Sequence, residues 1–447
     1  SFTETNAPYY PSPAQGLSHY LTANNLSQTS TPTGYSVNVI AKDFKYPTKL
    51  RTSLGVDKKL GSDWVLTGEF TYSKDINATY MSNVNLNETN AFAITNGPDQ
   101  RLRYNTTATA TSGTNSSNKY YNGNTLSNPN IGNAILLANT NKGYAYTATL
   151  AVQKYFRHLS VYAAYTYSDV KTAMENGSTA SSLWSARAVA NTDPNAATLA
   201  RPSWYQPHRV IASANYRIEY AKHFATSIGA IFEAAPSGNT SYVYNGDLNG
   251  DGNTGNDLIY IPRNASEINL IDVGSYNKAT QSGITTGTAS DPRTSAQIWT
   301  QLNNFINQDH YMSFHRGQYV QANSVVYPWF KHLDLNVTQD IYFYTKNKTD
   351  RDRHTLRLSV DIINVGNLLN RNWGLVKSAS ISNFLKFEGM AADGKTPLFS
   401  FPYADANNQV PLVNSFTNNT NLVNFVNGTN ATGSRWQMQF GIRYLFN

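Results

Sequence analysis

The chain has 447 residues, of which 40% are hydrophobic and only 14% are charged, and its formal net charge is +7. It contains no run of about 18 apolar residues, which excludes a protein that crosses a membrane with helices. The lack of cysteine excludes disulfide frameworks, thiolate metal sites and cysteine catalysis. Because Lys and Arg are scattered along the chain, we expect no nucleic acid as a partner.

The first predicted strands follow a polar, Pro-rich start. Residues 35–43 are a possible strand, and apolar and polar residues then alternate over 50–56 and 64–73, on either side of a short turn at 58–63. Side chains of a strand point alternately to opposite faces of its sheet. This pattern therefore predicts a hairpin of two long strands with one apolar and one polar face.

The same hairpin pattern recurs along the chain. Further pairs are predicted at 144–152 and 160–168, 209–220 and 224–234, and 332–343 and 354–365. Irregular stretches at 75–142, 169–207 and 235–330 separate the hairpins. With two less regular strands at 373–387 and 397–403 and a final strand, we count about 12 strands and no amphipathic helix.

The last strand alternates most regularly. Its apolar positions are Trp436, Met438, Phe440, Ile442, Tyr444 and Phe446. A tilted membrane strand needs about 9–11 residues, and this segment is long enough. A strand of a soluble sandwich can have the same pattern, so this segment alone does not separate the two classes.

The order of the connections favours a membrane barrel, because outer-membrane barrels have short periplasmic turns and long extracellular loops. The polar faces also carry charges that a dry sandwich core would not accept unpaired. We expect these side chains to face a wet lumen: Arg209, Arg217, Glu219, Arg357, Asp361 and Arg443. The predicted fold is all-β, an antiparallel transmembrane β-barrel with long extracellular loops.

Six segments of the sequence match a known family, in order along nearly the whole chain. They are YSKDINATYMSNVNL (72–86), NTNKGYAY (139–146), QPHR (206–209), SYVYNGDLNGDGNTGNDLIYIP (241–262), PWFKHLDLNVTQD (328–340) and NVGNLLNRNWG (364–374). In these segments the chain resembles the Oar-like branch of TonB-dependent outer-membrane receptors, which is common in Bacteroidota.

The resemblance implies a plugged barrel of about 22 strands, of which residues 1–447 would be the C-terminal part. The family also has a signal peptide, a carboxypeptidase-regulatory-like N-terminal domain, a TonB box and a plug domain. None of these is recognisable in this sequence. The resemblance further implies that the last strand is an assembly signal, with Trp436, Phe440, Tyr444 and Phe446 as its aromatic residues.

The function implied by the resemblance is energy-coupled uptake of a large substrate, without enzymatic chemistry. The protein would be integral to the bacterial outer membrane. Its partners would be outer-membrane lipid, the TonB complex through a region missing from this sequence, and a surface lipoprotein or other envelope proteins. The residues that bind substrate are not predicted.

Two other functions remain open at this point. One is an outer-membrane barrel that serves as a scaffold or secretion component of an envelope complex. The other is a soluble, secreted all-β binding protein. A requirement for detergent separates the soluble protein from both barrels, and a plug and TonB box upstream separate the transporter from the scaffold.

One short motif predicts a metal site. Asp247, Asn249 and Asp251 stand at positions 1, 3 and 5 of a loop with Gly252 at position 6, as in an EF-hand calcium loop. Position 12 is apolar, but Asp257 comes one residue earlier. We predict a structural Ca²⁺ in the loop 247–257 with Asp247, Asn249, Asp251 and Asp257 as ligands, and Asn256 as a weaker candidate. The alternative is a Gly- and Asn-rich turn without metal, since strands rather than helices are predicted to flank the loop.

Overall fold

The structure is a computed structural model. It describes residues 35–61, 63–86, 88, 91–94, 97–104, 131–175, 177–190, 193–271, 293–344, 353–391, 393–401, 416–418 and 435–446. The predicted Pro-rich start and Asn447 lie outside these ranges.

One antiparallel sheet of nine strands dominates the fold. Its strands, in chain order, are β1 (Lys49–Leu60), β2 (Trp64–Asp75), β3 (Gly143–Tyr155), β4 (Leu159–Thr172), β5 (His208–Tyr220), β6 (Phe224–Pro236), β7 (Trp329–Tyr344), β8 (Arg353–Ile363) and β9 (Gln437–Leu445). Each strand pairs with the strand before and after it in this order. The prediction of an all-β, antiparallel fold is confirmed. Within the described ranges the edge strands β1 and β9 do not pair with each other, so the sheet is open.

Short and long connections lie at opposite ends of this sheet. The β1–β2, β3–β4 and β5–β6 turns, together with the end of β7 at Tyr344 and the start of β8 at Arg353, form what we call the turn end. The described residues of 76–142, 173–207, 237–328 and 364–436 form the other end, which we call the loop crown. The predicted alternation of tight and long connections is therefore present.

The loop crown has its own secondary structure. Its helices are α1 (Ala180–Ser185), α2 (Ser295–Gln308), α3 (His310–Phe314) and α4 (Val365–Leu369), with a 3₁₀ turn at Ala265–Glu267. Its short strands are Ala78–Asn83, Phe92–Ala93, Leu102–Arg103, Ile131–Thr140, Asn239–Thr240, Tyr244–Asn245, Val325–Val326, Lys377–Ala379, Leu385–Met390, Pro397–Ser400 and Phe416–Asn418. A further short strand, Tyr35–Ile40, precedes β1 and pairs with a strand of the crown. No described helix is both long and apolar enough to cross a bilayer.

Three of the predicted strands belong to these small sheets rather than to the main one. The strand at 35–40 pairs in parallel with Ile131–Thr140, and the segments near 385 and 397 pair with each other. The main sheet consequently has nine described strands where we counted about 12 in all. Alternation marks a strand but not the sheet to which it belongs.

The prediction that the chain has no amphipathic helix is wrong. Helix α2 buries Ile298, Leu302, Phe305 and Ile306, which lie on one helical face. Thr294 and Gln297 form a capping box at its start, a signal that was readable in the sequence. The helix falls in the long stretch 235–330, where the surrounding turn residues obscured it.

Both clusters of buried apolar residues lie in the loop crown rather than on the main sheet. The larger cluster includes Tyr242, Leu248, Phe305, Phe384 and Phe401, and none of its members belongs to β1–β9. A second cluster around Tyr80, Tyr104 and Trp184 likewise lies outside the sheet strands. The crown thus has a hydrophobic core of its own.

Candidate functional site

The main sheet has one continuous apolar face. Apolar residues of neighbouring strands pair with one another from the first edge of the sheet onward: Leu54 faces Phe70, Leu150 faces Tyr165, and Ile228 faces Val337. At the far edge Leu356, Leu358 and Val360 face Tyr444, Ile442 and Phe440. Directly paired residues of antiparallel strands lie on the same face. The structure therefore brings the alternating residues of all nine strands together on one surface.

This apolar face is exposed. Leu54 is 67% exposed, Leu150 57%, and Phe440 and Ile442 are 74% exposed each. An apolar surface of this size on a water-soluble monomer would be unusual, because such patches rarely exceed a few hundred Å². The face needs an apolar environment.

Aromatic rings flank the apolar face at the crown end. The His208 ring stacks on Trp329 with centroids 5.8 Å apart, and Tyr165 Oη lies 2.7 Å from His208 Nδ1. Tyr167 packs against the same imidazole at 5.3 Å. Rings with a polar tip suit a boundary between an apolar and a wet layer.

A second aromatic group lies at the turn end. The Lys154 ammonium is 4.8 Å from the Trp64 ring centre and 4.5 Å from that of Phe156. Tyr444 stacks on His354 at 5.7 Å. Strand β5 has 13 residues, which at about 3.3 Å per residue and a tilt of about 40° span about 30 Å. That height matches the hydrocarbon core of a bilayer, which is about 30 Å thick.

The opposite face of the sheet is polar and charged. The register places on it all six side chains that we predicted to share a lumen-facing surface. Arg357 donates to both carboxylate oxygens of Asp340, at 2.6 and 2.9 Å, and Arg217 Nη1 approaches Asp340 at 3.5 Å. Arg209 pairs with Glu233 at 2.9 Å. Asp340 itself is buried, but the three arginines and Glu233 are partly exposed, which fits a wet surface.

The terminal residues lie where the alternation predicts. Phe440 and Tyr444 belong to the apolar face, opposite Val360 and Leu356. Trp436 lies just before β9 at the crown end, and Phe446 lies just after it at the turn end. The assembly role of these four aromatic residues stays a prediction.

The crown contains the predicted metal loop. Asp247, Asn249, Asp251 and Asp257 are all almost completely buried. Asp247 accepts hydrogen bonds from the backbone N–H groups of Gly250 (2.7 Å) and Gly252 (2.9 Å). Gly250 and Gly252 have φ angles of 72° and 97°, a region that favours glycine. The tight turn expected at Gly252 is present.

Asp257 has a protein cation as its partner. Arg101 Nη1 donates to Asp257 Oδ1 at 2.9 Å, its Nε donates to Asp99 at 3.0 Å, and its Nη2 donates to the Leu258 carbonyl. Both Arg101 and Arg103 are fully buried, and Arg103 Nη1 donates to the Leu248 carbonyl. Neither arginine is predicted from the sequence, because both lie more than 140 positions before the loop.

Burial sets the protonation behaviour of this cluster. It raises the pKa of Asp257, although the Arg101 guanidinium and the Leu248 and Asn249 N–H groups lower it. Burial lowers the pKa of Arg103. For Arg101 burial acts in the same direction, but Asp99 and Asp257 raise its pKa above the usual value. For Asp257 burial and the Arg101 guanidinium therefore act in opposite directions, and the effect of burial on the pKa is the larger one.

The calcium site stays a prediction. In the described part of the chain, no group of three or more His, Cys, Asp or Glu side chains is arranged to hold a metal ion. One observation favours a cation: the Asn256 Oδ1 atom is buried without a hydrogen-bond partner, while Asn256 Nδ2 donates to Asp251 at 3.2 Å. Asn256 is the weaker of the ligands that we predicted.

A chelator experiment tests the calcium site. At a Ca²⁺ concentration ten times its Kd, which we expect at about 10⁻⁴–10⁻³ M, the ion should stabilise the loop by about 1.4 kcal/mol. Hydrogen exchange of residues 244–259 measures that gain, and Asp251→Ala should abolish it whereas Asp393→Ala, in an exposed turn, should not. Equal exchange in Ca²⁺ and in excess chelator would contradict the site.

No family model and no curated protein matches this chain. A solved structure, the outer membrane transporter YddB from Escherichia coli, resembles it with a TM-score of 0.32 and 11% sequence identity. The match covers 76% of this chain and 31% of the transporter chain. The described chain thus corresponds to less than a third of that transporter.

Proposed function

We propose that this protein is an integral outer-membrane β-barrel protein that takes up a large substrate with energy supplied by the TonB complex. The observation that carries the membrane placement is the exposed apolar face, which is continuous across nine paired strands. Lipid would cover this face, and the aromatic groups at the crown and turn ends would lie at the two water–lipid boundaries. The crown would be extracellular.

The polar face supports a lumen. A barrel must close, because open strand edges are not tolerated in hydrocarbon. The open edges of β1 and β9 would therefore have to be paired in the membrane. In the proposed barrel the charged networks around Asp340 and Glu233 would line the interior, where a plug domain would lie.

Single-cysteine labelling tests the membrane placement cleanly, because the chain has no cysteine of its own. Asn264→Cys lies in the crown and Lys222→Cys in a turn at the opposite end. In intact cells a membrane-impermeant maleimide should label only the crown variant, and permeabilised cells should show labelling of both. Labelling of the turn variant alone, or of both variants in intact cells, would contradict the proposal.

A separate experiment tests energy coupling. The full-length gene product should bind the purified periplasmic C-terminal domain of TonB in a pull-down. Binding supports uptake. If the cysteine variants behave as expected but the TonB domain does not bind, the barrel serves as a scaffold or secretion component instead.

A further inference from the structure

The loop crown contains a cavity of about 440 Å³. It lies between the segment after β4, from Thr172 to Ser203, and the segments around Ser241 and Asn323. A second cavity of about 290 Å³ adjoins it and shares Arg201 and four other lining residues. Cavities of about 300–1,000 Å³ are the usual size for small-molecule sites.

The walls of the larger cavity combine small side chains and hydroxyl groups with the apolar side chains of Met174, Leu183 and Val243. Five alanines line it, at 173, 186, 188, 200 and 322. Six hydroxyl side chains also line it: Thr172, Thr198, Ser203, Thr240, Ser241 and Ser382. No lining residue among those described is aromatic, so the cavity offers no platform on which a sugar ring could stack. Small side chains and hydroxyls leave room for a polar, hydrogen-bonding ligand.

Arg187 supplies a positive charge to this cavity. Its guanidinium donates to Tyr80 Oη at 2.6 Å, to the Ala196 carbonyl and to Thr198 Oγ1 at 3.3 Å. These acceptors are neutral, and within the described ranges Arg187 forms no ion pair with a carboxylate. Since a guanidinium has five N–H donors, it retains the capacity to bind an anion.

Glu175 supplies the opposite charge. Its carboxylate accepts hydrogen bonds from Ser203 N at 2.7 Å, Ser203 Oγ at 2.6 Å and Asn323 Nδ2 at 3.2 Å. All three donors are neutral, and no described Lys or Arg forms an ion pair with Glu175. The nearby Arg201 is paired with Asp169 instead, at 2.9 Å.

We propose that the cavity binds a short peptide with free termini. Arg187 would bind the peptide carboxylate, Glu175 would bind its ammonium group, and the hydroxyls and small side chains would accommodate the backbone between them. Among the described residues neither Arg187 nor Glu175 has an ionic partner, and a half-buried cation and a half-buried anion of this kind match the two charges of a zwitterion. The inference rests on the proposed function in one respect: it names the substrate class of the outward-facing crown.

Calorimetric titration of the full-length protein in detergent tests the proposal with three probes. These are trialanine with free termini, its N-acetyl form and its C-terminal amide. Because a charge-assisted hydrogen bond is lost with each cap, each capped form should bind about tenfold more weakly or worse. Trialanine that fails to bind at millimolar concentration, or caps without effect, would overturn the proposal.

Two variants assign the termini to their side chains. In Arg187→Gln the C-terminal amide and the free acid should bind equally, while N-acetylation should still weaken binding. In Glu175→Gln the N-acetyl form and the free amine should bind equally, while C-terminal amidation should still weaken binding. Arg187→Lys should retain the preference for the free acid, which guards against a loss caused only by misfolding. Arg263→Gln and Glu267→Gln serve as controls, because this pair lies in the crown but outside the cavity. Penalties that persist in both cavity variants would exclude these residues as the binding groups.

The outcome is independent of the membrane placement. If the cysteine variants label as expected but trialanine shows no preference for free termini, only the peptide site fails. If peptide binding is as proposed but the protein needs no detergent, the site stands and the membrane function fails.

Discussion

Val337→Arg is expected to destabilise the protein in a lipid bilayer by about 2–4 kcal/mol, because it would place a charge at the middle of the apolar face, which lies against lipid in the proposed barrel. Val337 lies near the centre of β7 and faces Ile228 and Val360 on the apolar face. The measurement is denaturant unfolding of protein reconstituted in lipid vesicles, followed by tryptophan fluorescence.

The adjacent residue provides a matched control. Thr338 lies on the polar face, between Ser227 and Ser359. Thr338→Arg should change the free energy of unfolding by only about 0.5 kcal/mol, as is usual for a surface substitution. If the two variants have the same stability, the apolar face does not contact lipid.

Arg101→Met is the second substitution for which we expect a large effect, a loss of stability of the loop crown. The change would remove the guanidinium that pairs with Asp257 and Asp99 and would leave two buried carboxylates without it. Breaking a buried ion pair in this way costs about 3–5 kcal/mol. Hydrogen exchange of residues 244–261 should accelerate by more than about a hundredfold, while exchange in β5 and β6 should remain unchanged.

An exposed arginine of the crown is the control. Arg263 forms an ion pair with Glu267 at the surface, and such pairs contribute about 0–1 kcal/mol, so Arg263→Met should have little effect. Adding Asp257→Asn to Arg101→Met should restore part of the lost protection, since the side chain at position 257 is then uncharged. A double variant no better protected than Arg101→Met would mean that the pair is not the source of the effect.

The sequence predicted the sheet well, because alternation is a local property. Val210, Ala212 and Ala214 are two positions apart, so their common face follows from strand geometry alone. The register could also be predicted in part, since a slip of one residue would place Arg209 on the apolar face. Leu60 pairs with Trp64 and Tyr220 with Phe224, and connections of three residues are short enough to determine which strands pair.

The crown could not be predicted in the same way. Arg101 and Asp257 are 156 positions apart, and no periodic pattern relates them. The acidic loop could be identified from its spacing, but the arginines that enter it could not. The cavity around Arg187 and Glu175 has walls from several separate segments, so only the folded structure shows that these two charges line the same cavity.

The position of the hydrophobic core has a consequence for biogenesis. Tyr319 donates to Asp99 at 3.0 Å across 220 positions, and the larger cluster joins residues from Ile94 to Phe401. In the proposed orientation the crown can complete its core only after the stretches 237–328 and 364–436 have both been translocated. Once that core has closed, the segments would have to unfold to pass back across the bilayer. The folded crown would then be too large to cross the bilayer, and this would keep the inserted sheet from leaving the membrane.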